Sequence, residues 1–489
     1  MPDVDTDAAA VANGAALAAA IAAANASATR RAVLVRAGAT YSFLPAVAGF
    51  DGLRGVTLQL EGALNASTAN FTSRWPGFPS APWAPLSFSR CDSLSIVGRG
   101  VLNGRGNAWW WYTILVADHR SNLLTVSSCT NLSISGVTLL NAPQYNFALW
   151  DVPGARIDGV TVLVDIEDQL DALRYIGGGP PRAAAVSARA DVAAVLRAAR
   201  LIGPADAAQV AAAAAAPRLD DAADAALRAA RRAALPAAIR AEPWFDARWS
   251  TTPPIPMVWA LNTDGIDFTG ANVTVVNSTV TNFDDAICAK PLGAGACTSA
   301  LIDGAHITYG VGVSMGSVRP LDGGDCIDGV RARNLVFDTP LKAIYVKPNP
   351  PADANATGTI ANVRYEDVVI RDALWWPIFI GPQQQHQPSG GSNTGCPFIW
   401  PLLNSSCPTD PEVTVANVTL SRVRIERGLF SPGVVLANES NPFTGIAFDD
   451  VVAVNASRWP ADGYIVRNAL GNATGGTTPV PAFGAGPGG

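Results

Sequence analysis

Short β-branched segments joined by Asn, Asp or Gly turns recur along most of this chain. They start at Cys91, Cys129, Val152, Ala271, Cys297, Gly329, Ile360, Pro411 and Phe443. Where the chain is uninterrupted they return about every 25 to 35 residues, which is typical of stacked units that share one continuous core. Strands this short cannot bury a face alone. The repeat therefore predicts an all-β solenoid, a parallel β-helix in which each coil stacks on the next.

Two stretches depart from the repeat. The Ala-rich run at residues 8–25 predicts a short amphipathic helix that caps the open N-terminal end, where an unpaired edge would invite aggregation. Residues 166–257 are rich in Ala, Leu and Arg, strong helix formers, and are divided by prolines. They predict a helical, low-complexity insertion, which could be a lid, a partner-binding arm or a segment without function.

The chain is thus expected to have four parts. They are a cap with the first coils (1–165), the insertion (166–257), the coils that carry an acidic cluster (258–457) and a C-terminal tail (458–489). The tail turns rich in Gly, Pro and Thr after about Gly471, so we expect it to leave the solenoid.

Composition excludes several classes of partner. The net charge of -6 argues against nucleic acid, but not against an anionic sugar polymer that meets locally gathered cations. The only lysines are Lys290, Lys342 and Lys347, in the half of the chain with the acidic cluster. No membrane span is expected, because the most apolar early run is Ala-dominated and interrupted by Asn and Gly. We expect a monomer.

Cysteines and glycosylation sequons indicate an extracellular or cell-wall protein, although the acidic start MPDVDTD shows no secretory signal. Cys288 with Cys297, and Cys396 with Cys407, are spaced like local loop staples, which leaves Cys91, Cys129 and Cys326. With no C-x-x-C pair and three His, a structural zinc site is not expected. Sequons occur at Asn65, Asn131, Asn272, Asn277, Asn417 and Asn438. Asn-x-Thr is equally the pattern of stacked Asn at strand edges.

Four carboxylates are crowded into LNTDGIDFTG and TNFDDAICAK: Asp264, Asp267, Asp284 and Asp285. Turn-filling is the ordinary role of a single Asp. Like charges held close raise the pKa of at least one member, so that a proton is retained. A general acid beside a general base needs this arrangement.

The coil spacing predicts that distant residues meet. A residue one coil further along lies above its counterpart at the strand spacing of about 4.8 Å. Residues 262–264, 284–285, 310–316 and 345–347 each lie about one coil apart. We expect them to form one column on an outer face, with acids at its centre and a lysine to one side.

These residues also resemble a known family. NTDGID, the Asp-Asp pair, the Gly-rich stretch at 310–317 and the Lys that closes AIYVK are similar to the motif series of the polygalacturonases, family 28 of the glycoside hydrolases. The resemblance implies a right-handed parallel β-helix. It also implies inverting hydrolysis of α-1,4-galacturonosyl linkages in pectin (galacturonan), with no metal and no cofactor.

Carried over by position, Asp284 resembles the general acid, and Asp264 and Asp285 resemble the carboxylates that activate water. Lys347 resembles a ligand of a substrate carboxylate, and Asn262 a polar support of the site. Tyr345 and Lys290 are further expected to contact substrate. An inverting enzyme separates acid and base by roughly 6.5 to 9.5 Å, a distance of the order that neighbouring coils provide.

Two positions depart from the family pattern. The family has His between the two glycines where this chain has Val311, and Arg where it has Tyr345. We expect an altered subsite, for example for rhamnogalacturonan. A polyuronate lyase with calcium and a catalytically silent β-helix that binds cell-wall polysaccharide remain alternatives. The Trp groups at 109–111 and 375–376 could stack on sugars, although buried packing is the commoner fate of Trp.

Overall fold

The computed structural model describes residues 7–67, 84–106, 109–110, 120–165, 260–293, 295–320, 324–350, 356–384, 395–396, 400 and 406–485. The predicted helical insertion at 166–257 falls outside the described residues.

One helix and thirty strands make up the described elements. The helix is α1, Asp7–Ala26. The first fourteen strands are β1 Ala32–Val35, β2 Thr40–Phe43, β3 Phe50–Asp51, β4 Thr57–Leu60, β5 Ala63–Ala66, β6 Leu86–Ser89, β7 Ser95–Gly98, β8 Val101–Asn103, β9 Leu124–Ser127, β10 Ser133–Ser135, β11 Thr138–Leu140, β12 Phe147–Trp150, β13 Arg156–Asp158 and β14 Thr161–Leu163. The remainder are β15 Ile266–Phe268, β16 Val273–Val276, β17 Thr279–Asn282, β18 Ile287–Ala289, β19 Cys297–Asp303, β20 His306–Tyr309, β21 Val313–Val318, β22 Asp325–Asp338, β23 Ile344–Pro348, β24 Gly358–Ala373, β25 Ile378–Ile380, β26 Val413–Gly428, β27 Gly433–Leu436, β28 Phe443–Val454, β29 Tyr464–Arg467 and β30 Ala469–Thr474.

These strands form a right-handed parallel β-helix, as predicted. An 11-stranded sheet stacks one strand per coil, from β3 to β29. A 19-stranded sheet takes two short strands from each early coil. From β22 onward these two strands merge into one long strand, because β19 and β20 both pair with β22. The strand pairs within both sheets are parallel, so each residue lies beside its counterpart one coil away.

The core is a set of aliphatic columns inside this coil. Val162 pairs with Val280, Val280 with Ile307 and Ile307 with Phe337, and all four are fully buried. Alternation in the strands directs every second side chain inward. Each such side chain contributes roughly 1.5 to 3 kcal/mol by leaving water, which explains why β-branched residues recur at these positions.

Helix α1 covers the N-terminal end of the solenoid, as predicted. Ala10, Leu17, Ile21 and Ala24 lie on its inner face, and the Leu44 N–H donates to the Ala10 carbonyl at 2.9 Å. Its outer face is also apolar, with Val11 48% exposed, so the predicted amphipathic character is absent. Residues 8–26 are long and apolar enough to cross a membrane by length and composition, a test that core helices and signal sequences also pass.

The solenoid continues past residue 457. Strand β29 pairs with β27, and β30 pairs with β28, so the segment predicted to form a tail adds a further coil. The Gly- and Thr-rich composition of this segment obscured its strands. Pairing with the preceding coil supplies the backbone hydrogen bonds that the local sequence does not predict.

Asn and Asp occupy the turns between strands with positive φ, a conformation that they tolerate better than most residues. Their side chains stack from coil to coil: Asn277 donates to Asp158 at 3.1 Å, and Asn417 donates to Asn362 at 3.1 Å. Several predicted sequons therefore coincide with Asn stacks. Asn65 is buried in β5.

The disulfide prediction was half right. Cys396 bonds to Cys407, but the partner of Cys297 is Cys326, not Cys288. Strands β19 and β22 place Cys297 and Cys326 in direct register, with Cα atoms 4.5 Å apart. Cys288 is a free, fully buried thiol in the smaller sheet. In a solenoid the nearest residue in space lies one coil away, which outweighs proximity in sequence.

Candidate active site

The register of the smaller sheet brings the acidic motifs together. Ile266 pairs with Ile287, and each follows an Asp by two residues. Asp264 and Asp285 therefore hold equivalent positions in consecutive coils. The Gly265 N–H donates to the Asp285 carbonyl at 2.8 Å, which extends the pairing into the turn. The column expected from sequence is present in the strand register, but Asp264, Asp285, Tyr345 and Lys347 in it are buried and do not lie exposed on an outer face.

Three carboxyl groups meet at this turn. Asp264, Asp284 and Asp285 each present an oxygen within 4.8 Å of the other two. Asp264 and Asp285 are 2% and 1% exposed, whereas Asp284 is half-buried. Asp284 accepts hydrogen bonds from the backbone and side chain of Asn262 at 3.2 and 3.3 Å, and from the Asp285 N–H at 2.9 Å.

Asp285 is the ionised member of the group. Its carboxylate accepts hydrogen bonds from Lys347, from Lys290 at 3.1 Å and from the Ser314 hydroxyl at 2.8 Å. Burial by itself would raise the pKa of Asp285. The two ammonium groups and the hydroxyl outweigh that effect and hold the pKa well below its usual range.

Asp264 and Asp284 hold protons more tightly. Burial, followed by the nearby charges of Asp284 and Asp267, raises the pKa of Asp264 well above its usual value. Burial and the Asp285 charge raise the pKa of Asp284. The Oδ1 atom of Asp264 is buried and accepts no hydrogen bond from the described residues. The cluster thus combines one carboxylate with two carboxyl groups whose pKa values are raised.

A second ion pair lies beneath the cluster. Lys290 bridges Asp267 at 3.2 Å and Asp285 at 3.1 Å, with its side chain 18% exposed. Asp267 is fully buried, and burial raises its pKa to about 6 despite the opposing charge of Lys290. Asp267 raises the pKa of Lys290 well above its usual value although burial opposes this. Lys290 is therefore a permanent cation.

Lys347 and Tyr345 both lie at the floor of the site. Lys347 is 1% exposed, and its ammonium is directed to Asp285. Tyr345 is 2% exposed and packs edge-on against Phe379, with ring centroids 5.3 Å apart. Lys347 stands 5.0 Å from the Tyr345 ring centroid. In this arrangement the primary contact of Lys347 is the acid cluster.

Lys342 is a residue whose role the motifs did not predict. Its Nζ lies 4.4 Å from the Tyr345 ring centroid and 4.9 Å from that of Phe379. It is 5% exposed. Burial and the like charge of Lys347 lower the pKa of Lys342 to about 7. The only sequence signal was that all three lysines fall in the same half of the chain.

Arg120 is another residue that sequence reasoning missed. It donates to the Leu261 carbonyl and, at 3.1 Å, to the Asn262 side chain, which in turn contacts Asp284. Arg120 also lines a polar depression of about 280 Å³ with Ser87, Thr125 and Gln144. Asn146 lies in the coil that precedes Asp264 and that also contributes Gln144 to the depression, and its N–H donates to the Asp264 carbonyl at 2.8 Å. The depression therefore lies on the N-terminal side of the acids. The outer face is thus polar for several coils.

Two groups of donors have a spacing that could hold a cation. The first is the triad of Asp264, Asp284 and Asp285, and the second is Asp267 with Asp285 and Cys288. In both groups the lysine ammonium groups already neutralise Asp285. A divalent ion would have to compete with these cations.

The tryptophans that were candidates for sugar stacking are buried. Trp109, Trp110 and Trp376 are fully buried, and Trp375 is 5% exposed. Trp376 stacks on Trp400 at 5.5 Å, and Trp375 meets Phe430 edge-on at 4.4 Å. Packing explains both groups. Residue 111 falls outside the described part of the chain.

Comparison with known proteins agrees with this geometry. The profile of Glycosyl hydrolases family 28 matches residues 32–171 and 258–458, well over half of the chain. The chain belongs to this family. The gap between the two matched ranges includes most of the predicted insertion, and the acid cluster lies in the second range.

Individual relatives of this family 28 chain are distant. A segment is 30% identical over 111 residues to a probable endo-xylogalacturonan hydrolase A of Aspergillus fumigatus, covering 22% of this chain and 26% of that protein. Another is 26% identical over 85 residues to a polygalacturonase of Cryptomeria japonica, covering 16% of each. The matches thus span 26% and 16% of the length of these curated relatives.

Solved structures resemble the family 28 chain along most of its length. An endo-xylogalacturonan hydrolase from Aspergillus tubingensis has a TM-score of 0.57 and 16% identity, covering 95% of this chain and 96% of that one. A polygalacturonase from Erwinia carotovora has a TM-score of 0.53 and 17% identity, covering 94% and 93%. At these identities the likeness establishes the solenoid fold.

Proposed function

We propose that this protein is a pectin-degrading glycoside hydrolase that cleaves α-1,4-galacturonosyl linkages, with inversion at the anomeric carbon. One observation carries the proposal: an ionised carboxylate, Asp285, lies beside two carboxyl groups with raised pKa, Asp264 and Asp284. Glycoside hydrolysis needs a proton donor and a proton acceptor of this kind next to each other.

Asp284 is the general acid in this proposal. Its pKa is raised, so it keeps a proton to give to the leaving oxygen, and it is the most exposed of the three carboxyl groups. Asn262 orients it through two hydrogen bonds. Asn262 therefore supports the acid, which is the role that its position in the motif predicted.

Asp285 and Asp264 are the residues proposed to activate water. Electrostatics favour Asp285 as the acceptor of the water proton, because it is already ionised. Asp264 retains a proton until its surroundings change, since burial disfavours its charged form. Its buried Oδ1 accepts no hydrogen bond from the described residues, so it keeps free acceptor capacity for water or a sugar hydroxyl.

The closest carboxyl oxygens lie within 4.8 Å of each other. This is the nearest approach of two oxygens and not the separation of the carboxyl centres that distinguishes inverting from retaining enzymes. Inversion therefore rests on family membership and has its own test. The anomer formed first, read by proton NMR before mutarotation, has the opposite configuration to the cleaved linkage.

An anionic polymer suits the cations of this face. Lys290, Lys347 and Arg120 surround the acids although the whole chain carries a net charge of -6. The depression beside Arg120 would hold sugar units on the N-terminal side. Disulfides and sequons support action outside the cell, at cell-wall pectin. We propose that the protein acts there as a monomer.

A decorated backbone is the second candidate substrate. Val311 packs with an apolar cluster that includes Tyr345 and Phe379. Val311 and Tyr345 stand at the two positions where the family has His and Arg. Uncharged side chains at these two positions favour a substituted or rhamnose-containing backbone. The names of the relatives add xylogalacturonan to the polymers worth testing.

The test is to incubate the protein with polygalacturonate, xylogalacturonan and rhamnogalacturonan and to measure new reducing ends. Asp284→Asn should lower the rate by about 10² to 10⁴-fold, the usual contribution of a general acid. Asp328→Asn, in strand β22 of the larger sheet, makes the same chemical change away from the site and should leave the rate unchanged.

Three outcomes would contradict the proposal. Unsaturated, ultraviolet-absorbing products that require calcium would indicate a lyase. Polymer binding without new reducing ends would indicate a silent binding protein. Full activity of Asp284→Asn would show that another residue is the acid.

A further inference from the structure

Two free thiols outside the proposed site occupy the same place in neighbouring coils. Strands β6 and β9 pair Ser89 with Ser127, and the next bridge pairs Asp92 with Thr130. Cys91 and Cys129 lie between these pairs and are therefore in direct register, 38 residues apart in sequence. The Cys91 N–H donates to the Cys129 sulfur at 3.1 Å.

This arrangement matches that of a disulfide in the same chain. Cys297 and Cys326 are also direct neighbours in consecutive coils, with Cα atoms 4.5 Å apart. Adjacent strands are separated by about 4.8 Å, which falls inside the Cα range of about 4.4 to 6.8 Å that a disulfide spans. A bond between Cys91 and Cys129 therefore needs no displacement of the coils.

We propose that Cys91 and Cys129 are a disulfide-forming pair, which links the first coils of the solenoid when the protein folds under oxidising conditions. The bridge is independent of the proposed hydrolase activity. It would be the second coil-to-coil disulfide, placed in the N-terminal half, where the described residues contain no other disulfide.

The chemistry is thiol–disulfide exchange with a small-molecule disulfide such as oxidised glutathione. The Cys129 thiolate attacks that disulfide and releases one glutathione thiolate. The Cys91 thiolate then attacks the Cys129 sulfur, forms the protein disulfide and releases the second. Two electrons pass from the cysteines to glutathione, and the two thiol protons go to solvent or to the released glutathione.

Once the two coils have paired, local contacts favour Cys129 as the first nucleophile. The Cys91 thiol and its N–H both stabilise a thiolate on Cys129 and lower the pKa of that thiol to about 7. Cys91, which keeps its proton in this pair, has a raised pKa. Both side chains are buried in the folded chain, at 3% and 0% exposure, so exchange takes place during folding or when these coils open.

Peptide mapping tests the proposal directly. The full chain, produced in bacteria, is refolded with oxidised and reduced glutathione, its remaining thiols are alkylated, and it is digested with trypsin without reduction. Cleavage after Arg90, Arg99, Arg120 and Arg156 separates the two cysteines into peptides 91–99 and 121–156. The expected product is these two peptides joined, two hydrogens lighter than their sum, and absent after reduction.

Thiol counting in denaturant provides the second measurement. After oxidative refolding one reactive thiol, Cys288, is expected instead of three. Cys288→Ala is the matched control and should remove that thiol while leaving the cross-linked peptides intact. Alkylation of both Cys91 and Cys129 in the refolded wild-type chain, or a cross-link from either one to Cys288, would overturn the proposal.

Discussion

Lys342 offers a sharp test of the electrostatics beside the acid cluster. The residue is 5% exposed, and its ammonium lies 4.4 Å from the Tyr345 ring centroid and 4.9 Å from that of Phe379. Burial and the charge of Lys347 lower its pKa to about 7. Replacing it with Met keeps the length of the side chain and removes the titrating group, so the pH dependence of stability should change.

The sign and size of this change in stability follow from proton linkage. Above pH 7 the folded chain releases the Lys342 proton, while an unfolded chain keeps it up to a pKa of about 10.4. The unfolded state therefore binds more protons in this interval, and stability rises with pH. The stability gained when Lys342 is deprotonated in the folded chain is complete above the pKa of Lys342 in the unfolded chain and is lost as pH falls through 7. Between about pH 7 and about pH 8.5 it amounts to ~2 kcal/mol, at about 1.4 kcal/mol for each pH unit.

Lys342→Met should lack this gain. Urea unfolding followed by tryptophan fluorescence, at about pH 6 and about pH 8.5, measures the free energy of unfolding of both proteins. The variant's stability relative to the wild type should fall by ~2 kcal/mol between the two conditions. Arg458→Met, at a side chain 83% exposed, is the control and should show no such change. A Lys342→Met difference that is the same at both pH values would refute the reasoning.

Three further predictions concern the site and its surroundings. Asp285→Asn removes the ionised acceptor of the buried Lys347 ammonium and should lower the free energy of unfolding by about 3–5 kcal/mol. A urea midpoint equal to that of the wild type would contradict this. Hydrolysis should follow a bell-shaped pH profile. The low pKa of Asp285 keeps the base ionised in acid, and the raised pKa of Asp284 moves deprotonation of the general acid toward neutral pH. A rate that keeps rising in alkali would count against these roles. Trp376→Ala should cost about 3–5 kcal/mol of stability and leave KM unchanged, whereas a raised KM would indicate that the ring contacts sugar.

The coil architecture and the meeting of the acids were predictable because both depend on register. Asp264 and Asp285 each precede a paired Ile by two residues, and that spacing is visible in the sequence. The direction of Lys347 was not predictable, since sequence order does not determine whether a side chain turns toward a neighbouring acid or toward solvent. Arg120 was missed because it precedes a strand and belongs to no recognisable motif; only its contact with Asn262 reveals it.

The cysteines show the same limit of prediction from sequence. Spacing along the chain favoured Cys288 as the partner of Cys297, whereas the structure pairs Cys297 with Cys326, 29 residues away. Register, once known, decides such pairings, and it is also the argument for Cys91 with Cys129. Sequence distance is informative for disulfides within a single loop, as it was for Cys396 and Cys407.

Charge balance connects the ion pairs to the proposed chemistry. Lys290 contacts Asp267, and Lys347 contacts Asp285, so two ammonium groups face two carboxylates in a site with little access to water. Each pair must remain intact, because removing one partner leaves a buried charge without compensation.

With both lysines already matched, any further negative charge in the cluster would be uncompensated. Asp264 and Asp284 therefore keep their protons more readily than isolated carboxyl groups do, which is the direction of both pKa shifts. Burial and the charge of Asp285 thus maintain the proton that a general acid needs on Asp284, against the opposing charges of Lys347 and Lys290. Lys290 raises the pKa of both groups only indirectly, by holding Asp285 ionised, because its own charge lowers the pKa of Asp264 and of Asp284.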